Sequence, residues 1–167
     1  MDRKNVILVG MPSCGKSTVG VILAKTLNKN FVDTDILIQQ QEGKTLQEII
    51  NKEGNEAFHK IEESVLLSFD DKNCVVATGG SAIYFDKAIE KFKENGTVVY
   101  IKVGLETVLN RLNNIKTRGV TLGKGQTLED LYNYRVPMYE KHADLVISGD
   151  EKTVEEVVTE IVMALSK

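Results

Sequence analysis

The sequence predicts an α/β fold in which a five-stranded parallel sheet lies between two layers of helices. Short apolar runs rich in β-branched residues alternate along the chain with segments of helical periodicity. This alternation is typical of parallel strands joined by crossover helices. The 167 residues can bury one core, and no repeat, low-complexity tract or proline-rich linker divides them. We therefore predict a single domain over residues 1–167.

Each predicted element rests on a local pattern. The strands are short apolar runs, and the helices repeat apolar residues every three or four positions. Thr45 and Glu48 have the spacing of a capping box, while Gly43 and Gly54 mark helix ends. In chain order, the predicted elements are strand 6–9, helix 16–27, strand 31–33, helix 35–41, helix 45–53, helix 55–69, strand 74–77, helix 86–94, strand 97–103, helix 105–112, helix 127–142, strand 144–148 and helix 153–165.

Residues 113–126 differ from the segments around them. They hold three glycines, two asparagines and three basic residues, with little apolar content. Such a composition is typical of a surface loop, so we expect this segment to be mobile.

Composition narrows the possible partners and location. The net charge of −3 gives no sign of a nucleic-acid or membrane surface, and no apolar run has the length of a membrane span. Cys14 and Cys74 belong to no metal-spaced cluster and suit a reducing compartment. We expect a cytoplasmic monomer whose partner is a small molecule.

A phosphate-binding motif is the strongest functional signal. Residues 10–17 fit G-x-x-x-x-G-K-[ST] between a predicted strand and a predicted helix. In such a loop the backbone N–H groups wrap phosphate oxygens, Lys16 neutralises the β- and γ-phosphates, and Ser17 can bind Mg²⁺. The predicted nucleotide-binding residues of this loop are Gly10, Pro12, Ser13, Cys14, Gly15, Lys16, Ser17 and Thr18.

The motif alone leaves a GTPase, an ATPase motor and a small-molecule kinase open. A GTPase needs a base-reading N-K-x-D, which the sequence lacks, and a motor usually needs a longer chain. Ligands of parallel α/β sheets bind at the carboxyl ends of the strands. Asp33, Asp35, Gly79 and Gly80 all follow predicted strands, which favours a small-molecule kinase.

Several motifs together resemble the shikimate kinase family over essentially the whole chain. They keep the order and approximate spacing of that family. The resemblance implies a nucleoside-monophosphate-kinase-like P-loop fold and transfer of the ATP γ-phosphoryl group to a hydroxyl of shikimate, with Mg²⁺. The motifs are residues 10–18, Phe31-Val32-Asp33-Thr34-Asp35, the helix with Gly54, Phe58 and Glu62, Ala77-Thr78-Gly79-Gly80, Lys116-Thr117-Arg118 and Arg135-Val136-Pro137-Met138-Tyr139.

The resemblance also implies roles for individual residues. Lys16, Asp33 and Arg118 would be catalytic, with Ser17 and Asp33 at the metal and Arg111 packed on adenine. The implied acceptor-binding residues are Asp35, His59, Gly79, Gly80 and Arg135, served by helices within 35–69 and a lid at 113–125. Each of these residues also has a structural interpretation that stays open. Asp35 could cap a helix, the two glycines could form a plain turn, the three arginines could be exposed to solvent, and His59 could pair with Glu62 or Glu63.

The sequence departs from the family pattern on the acceptor side. His59 stands where the family has an arginine, Ser81 replaces the third glycine after the third strand, and Gly119 replaces the lid proline. An unperturbed histidine titrates near about 6.5, so we expect its charged form to bind the acceptor carboxylate. Two alternatives therefore remain: a kinase of this type with another small hydroxylated acceptor, and a non-catalytic ATP-binding module.

Overall fold

The computed structural model describes residues 4–113 and 119–167, and its centre is a five-stranded sheet. All strand pairs are parallel, and the order across the sheet is β2-β3-β1-β4-β5. The strands are β1 Asn5–Val9, β2 Asn30–Asp33, β3 Cys74–Ala77, β4 Gly96–Lys102 and β5 Leu145–Ser148. The helices are α1 Lys16–Leu27, α2 Thr34–Glu42, α3 Leu46–Ser68, α4 Asp86–Asn95, α5 Leu105–Asn113, α6 Leu128–His142 and α7 Val154–Leu165, with a 3₁₀ helix at Gly80–Tyr84.

The middle of the sheet carries the core. Every residue of β1 and β3 is buried, as expected for parallel strands covered on both faces. Helices α1 and α7 pack against each other, while α4 and α6 contact β4. Within the described residues, no helix is both long enough and apolar enough to cross a membrane.

The predicted elements are confirmed, with bounds that differ by at most one residue. The predicted helices on either side of Gly54 form one element, α3, which Gly54 kinks with a φ of 86° and a ψ of 170°. The capping box of Thr45 and Glu48 is present at the start of that helix. The 3₁₀ helix after β3 was not predicted, because one short turn has no periodicity to detect.

Candidate active site

The phosphate loop joins β1 to α1 and encloses the Lys16 side chain. Lys16 is 7% exposed, and its Nζ donates hydrogen bonds to the carbonyl oxygens of Gly10 at 2.6 Å and Met11 at 2.9 Å. The Cys14 sulfur lies 3.6 Å from the same Nζ. Gly10 and Cys14 therefore hold the lysine, and Lys16 itself reaches the cleft described below.

Ser17 and Asp33 meet at the edge of this loop. The Ser17 hydroxyl donates a hydrogen bond to Asp33 Oδ2 at 2.9 Å. The other oxygen, Oδ1, accepts from the backbone N–H groups of Asp35 at 2.9 Å and Ile36 at 3.4 Å, so Asp33 is the N-cap of α2. The interpretation of Asp35 as that cap is therefore wrong, and Asp35 lines the cleft described below.

One cleft of about 440 Å³ joins the phosphate loop to the predicted acceptor residues. Its lining on the nucleotide side includes Lys16, Ser17 and Arg111. Arg111 Nη1 donates to the carbonyl oxygen of Ser13 at 2.9 Å, which ties α5 to the loop. The remaining residues of the phosphate loop that line the cleft are Pro12, Ser13, Gly15 and Thr18.

The acceptor side of the cleft is built from two glycines and two charged side chains. A Cβ on Gly79 would lie 2.7 Å from Asp35 Oδ1, and a Cβ on Gly80 would lie 2.8 Å from Arg135 Nη1. Only glycine leaves room for these side chains to approach the strand end so closely. All four residues line the cleft, and the two glycines lie at the turn that begins the 3₁₀ helix.

Arg135 is held rigidly although it is charged. It is 1% exposed, its Nε donates to the Tyr84 hydroxyl at 2.8 Å, and its guanidinium lies 5.0 Å from the centre of the Tyr84 ring. Its Nη2 donates to the hydroxyl of Thr121 at 3.1 Å. The interpretation of Arg135 as an exposed helix residue is wrong, and such a fixed guanidinium suits a carboxylate ligand.

His59 lies behind Arg135 and does not line the cleft. Its Nε2 is 3.1 Å from Thr121 Oγ1, and its ring contacts the rings of Tyr84 and Phe85. Burial and the nearby Arg135 charge lower the pKa of His59. The expectation of an unperturbed histidine is therefore wrong, since burial and Arg135 favour the neutral form of the imidazole.

Glu62 and Ser81 line the cleft and were not predicted as site residues. Glu62 is fully buried and accepts a hydrogen bond from the Ser81 hydroxyl at 2.5 Å. Burial raises the pKa of Glu62 to about 7. One signal was present in the sequence: Glu62 stands four residues after Phe58, on the apolar face of its helix, where a charged residue is unusual.

Most of the predicted site residues thus line the same cleft. Arg118 lies outside the described residues. The described part of the predicted lid contacts the acceptor side: Gly119 and Val120 line the cleft, and Thr121 is buried. Asn55 Nδ2 donates to the Leu122 carbonyl oxygen at 2.8 Å, which fastens this segment to α3.

Comparison with known proteins agrees with this geometry. The sequence profile of a family described as shikimate kinase matches residues 12–166. The chain belongs to the shikimate kinase family. The resemblance drawn from the motifs is confirmed, and the fold is the three-layer P-loop kinase fold expected for a shikimate kinase.

Relatives and solved structures of shikimate kinases match the whole chain. A shikimate kinase of Caldanaerobacter subterraneus subsp. tengcongensis is 34% identical over 98% of this chain and 97% of its own. A shikimate kinase from Acinetobacter baumannii in complex with shikimate is 33% identical, with a TM-score of 0.90 over 98% of this chain and 93% of that chain. Shikimate kinase from Aquifex aeolicus is 35% identical, with a TM-score of 0.82 over 97% and 96%.

Proposed function

We propose that this protein transfers the γ-phosphoryl group of ATP to a hydroxyl of shikimate. The proposal rests on one observation: the same cleft is lined by Lys16 on the nucleotide side and by Asp35 and Arg135 on the acceptor side. The family is one of ATP-dependent kinases. The Acinetobacter baumannii enzyme, solved in complex with shikimate, supports this acceptor.

The chemistry follows from the two sides of the cleft. Arg135 binds the acceptor carboxylate, and Asp35 accepts hydrogen bonds from acceptor hydroxyls and orients one of them for in-line attack. That hydroxyl oxygen forms a bond to the γ-phosphorus while the bond to the bridging oxygen of ADP breaks, and Asp35 takes the proton. Lys16 neutralises charge on the phosphates, with Arg118 proposed to cover the transferring group from the lid.

Mg²⁺ fits the pair of Ser17 and Asp33. A hydroxyl and a carboxylate oxygen 2.9 Å apart beside the phosphate loop are hard oxygen ligands of the kind Mg²⁺ takes together with phosphate oxygens and water. When bound there, Mg²⁺ would neutralise charge on the β- and γ-phosphates. We propose that Ser17 and Asp33 hold it, that Arg111 packs on the adenine, and that the protein acts as a cytoplasmic monomer.

The direct test measures ATP consumption with a panel of small hydroxy acids and identifies each product by mass. We expect shikimate to be the preferred acceptor and to gain one phosphoryl group. Preference for another hydroxy acid would refute the acceptor, and nucleotide binding without turnover on any acceptor would indicate a non-catalytic module.

Replacing Asp33 with asparagine is expected to raise the Mg²⁺ concentration needed for half-maximal activity by about tenfold, because a neutral amide is a weaker ligand. Asparagine is also a good N-cap, so α2 should start as before. Mg²⁺ titration at fixed ATP measures the effect, and an exposed control such as Asp71→Asn should show none. An unchanged Mg²⁺ requirement would remove Asp33 from the metal site.

Replacing His59 with arginine is expected to lower the KM for shikimate about three- to tenfold. A longer, permanently charged side chain can add a second guanidinium beside Arg135 for the carboxylate. His59→Gln is the control and should leave this KM within about twofold, because the neutral imidazole binds no anion. A large increase in KM for His59→Gln would show that the histidine itself holds the acceptor.

Residues 119–126 are expected to exchange their amide hydrogens more slowly when nucleotide and shikimate are both bound. The segment covers the acceptor side through Gly119 and Val120, so ligand binding should stabilise its contacts. Hydrogen exchange with each ligand alone and with both separates the contributions. Exchange that is the same in all four conditions would count against a lid at 113–125.

A further inference from the structure

Glu62 has an environment unlike that of any other acidic side chain among residues 4–113 and 119–167. It is 0% exposed, on the same face of α3 as the buried Phe58 and Val65, and it lines the cleft. The charged residues that face it are Asp35 from α2 and Arg135 from α6. The mechanism described above uses Asp35 and Arg135 but assigns nothing to Glu62.

The two carboxyl oxygens of Glu62 differ in their surroundings. Oε1 accepts the hydrogen bond from the Ser81 hydroxyl at 2.5 Å, whereas Oε2 is buried and has no hydrogen-bond partner among the described residues. A Cβ on Gly79 would lie 2.9 Å from this Oε2 and 2.7 Å from Asp35 Oδ1. Oε2 and the Asp35 carboxylate therefore border the same small space on the acceptor side of the cleft.

The buried carboxyl group of Glu62 and the half-buried carboxylate of Asp35, which border the same space, favour a state in which one of the two keeps a proton. Burial raises the pKa of Glu62 to about 7, and the Asp35 charge also raises it, against the lowering effects of the Ser81 hydrogen bond and of Arg135. Because Ser81 donates to Oε1, the proton of the neutral acid sits on Oε2. Neutral Glu62 then offers a donor beside Asp35, while ionised Glu62 adds a second negative charge there.

We propose that Ser81 is a positioning residue that turns Glu62 Oε2 toward the acceptor, so that acceptor binding is stronger in slightly acidic than in slightly alkaline solution. The inference rests on the proposed function, since shikimate is an acid whose negative charge a second carboxylate would repel. By the resemblance stated above, Ser81 stands where the family pattern has a third glycine. The pKa of His59 is lowered by burial and by Arg135, so this histidine titrates on the acid side of Glu62.

The test compares the KM values for shikimate and for ATP between about pH 6 and about pH 8 in four proteins: wild type, Glu62→Gln, Ser81→Ala and the control Glu63→Gln. In wild type and Glu63→Gln, the KM for shikimate should rise about tenfold over this range while the KM for ATP changes little. Glu62→Gln keeps a neutral donor at every pH and should show a flat profile. Ser81→Ala loses a donor that favours the ionised form, so its midpoint should move to higher pH.

A second measurement does not depend on the acceptor. The carboxyl carbon resonance of Glu62, assigned from its loss in Glu62→Gln, is followed by NMR during a pH titration without ligands. We expect a midpoint near the pKa of about 7 in wild type, and a higher one in Ser81→Ala and in Ser81→Gly. Thermal unfolding verifies that each variant is folded. If Ser81→Ala is unfolded, Ser81→Gly replaces it in the comparison.

The outcomes separate this proposal from the proposed function. Absence of phosphorylated shikimate with wild type refutes the proposed acceptor, and the NMR titration then decides the proposal: equal midpoints with and without the Ser81 hydroxyl overturn it. If shikimate is phosphorylated, the KM for shikimate is compared between wild type and Glu62→Gln at each pH. Identical pH profiles in the two proteins would overturn the proposal. The proposal is also overturned if Ser81→Ala has the same midpoint in its pH profile as wild type, because a serine with a purely structural role would leave that midpoint unchanged.

Discussion

Replacing Lys16 with alanine is expected to lower kcat at least about 100-fold. The Nζ atom sits within the phosphate loop and lines the cleft where the phosphates would lie. No other described side chain supplies a buried ammonium at that point. The transferring phosphoryl group would therefore lose the charge that neutralises it during the reaction.

The loss must be separated from an effect on folding, because Lys16 is a buried residue. Its hydrogen bonds to the carbonyls of Gly10 and Met11 would be lost, at a cost of about 1–2 kcal/mol in the free energy of unfolding. Thermal unfolding and single-turnover phosphoryl transfer measure the two effects. Lys25→Ala, an exposed lysine on the same helix, is the matched control. A Lys16→Ala protein that is unfolded, or fully active, would refute the assignment.

Asp35→Asn is expected to reduce kcat/KM for shikimate about 100-fold or more while the KM for ATP changes less than about threefold. The amide keeps the shape of the side chain but has no negative charge and only one accepting oxygen. It can therefore neither orient the acceptor hydroxyl as well nor take its proton. Asp35 does not cap α2, so the start of that helix should be unaffected.

Steady-state kinetics with each substrate varied in turn test this prediction. Asp70→Asn, an exposed carboxylate outside the cleft, should behave as wild type. If the affinity for ATP falls as much as turnover of the acceptor, Asp35 is a metal or structural residue. The ratio of the two effects thus distinguishes an acceptor group from a nucleotide group.

The sequence was sufficient for the sheet, the helices and the nucleotide side because local patterns encode them. The apolar runs that form β1 and β3, the spacing within α1 and the capping box at Thr45 each depend on a few neighbouring residues. The phosphate loop is equally local, since its backbone amides, Lys16 and Ser17 come from eight consecutive positions. The family resemblance then supplied the predicted acceptor residues, of which Asp35, Gly79, Gly80 and Arg135 line one cleft.

The acceptor side depended more on tertiary structure. His59 was expected to be a charged ligand, but it lies against Thr121 outside the cleft lining, and burial and the Arg135 charge favour its neutral form. Thr121 itself lies 62 positions from His59, and nothing in the local sequence indicates that they meet. Glu62 and Ser81 are separated by 19 positions, and their hydrogen bond forms because α3 packs against the turn after β3.

The sequence by itself determined which segments are strands and helices, which loop carries the phosphate-binding motif and to which family the protein belongs, because short-range periodicity and contiguous motifs carry that information. Only the tertiary structure decided the ionisation of the acceptor side. The pKa of His59 falls and that of Glu62 rises through burial and through the charges of Arg135 and Asp35, which come from other elements. Such shifts arise from desolvation and from distances between charges, and neither quantity exists until the chain has folded.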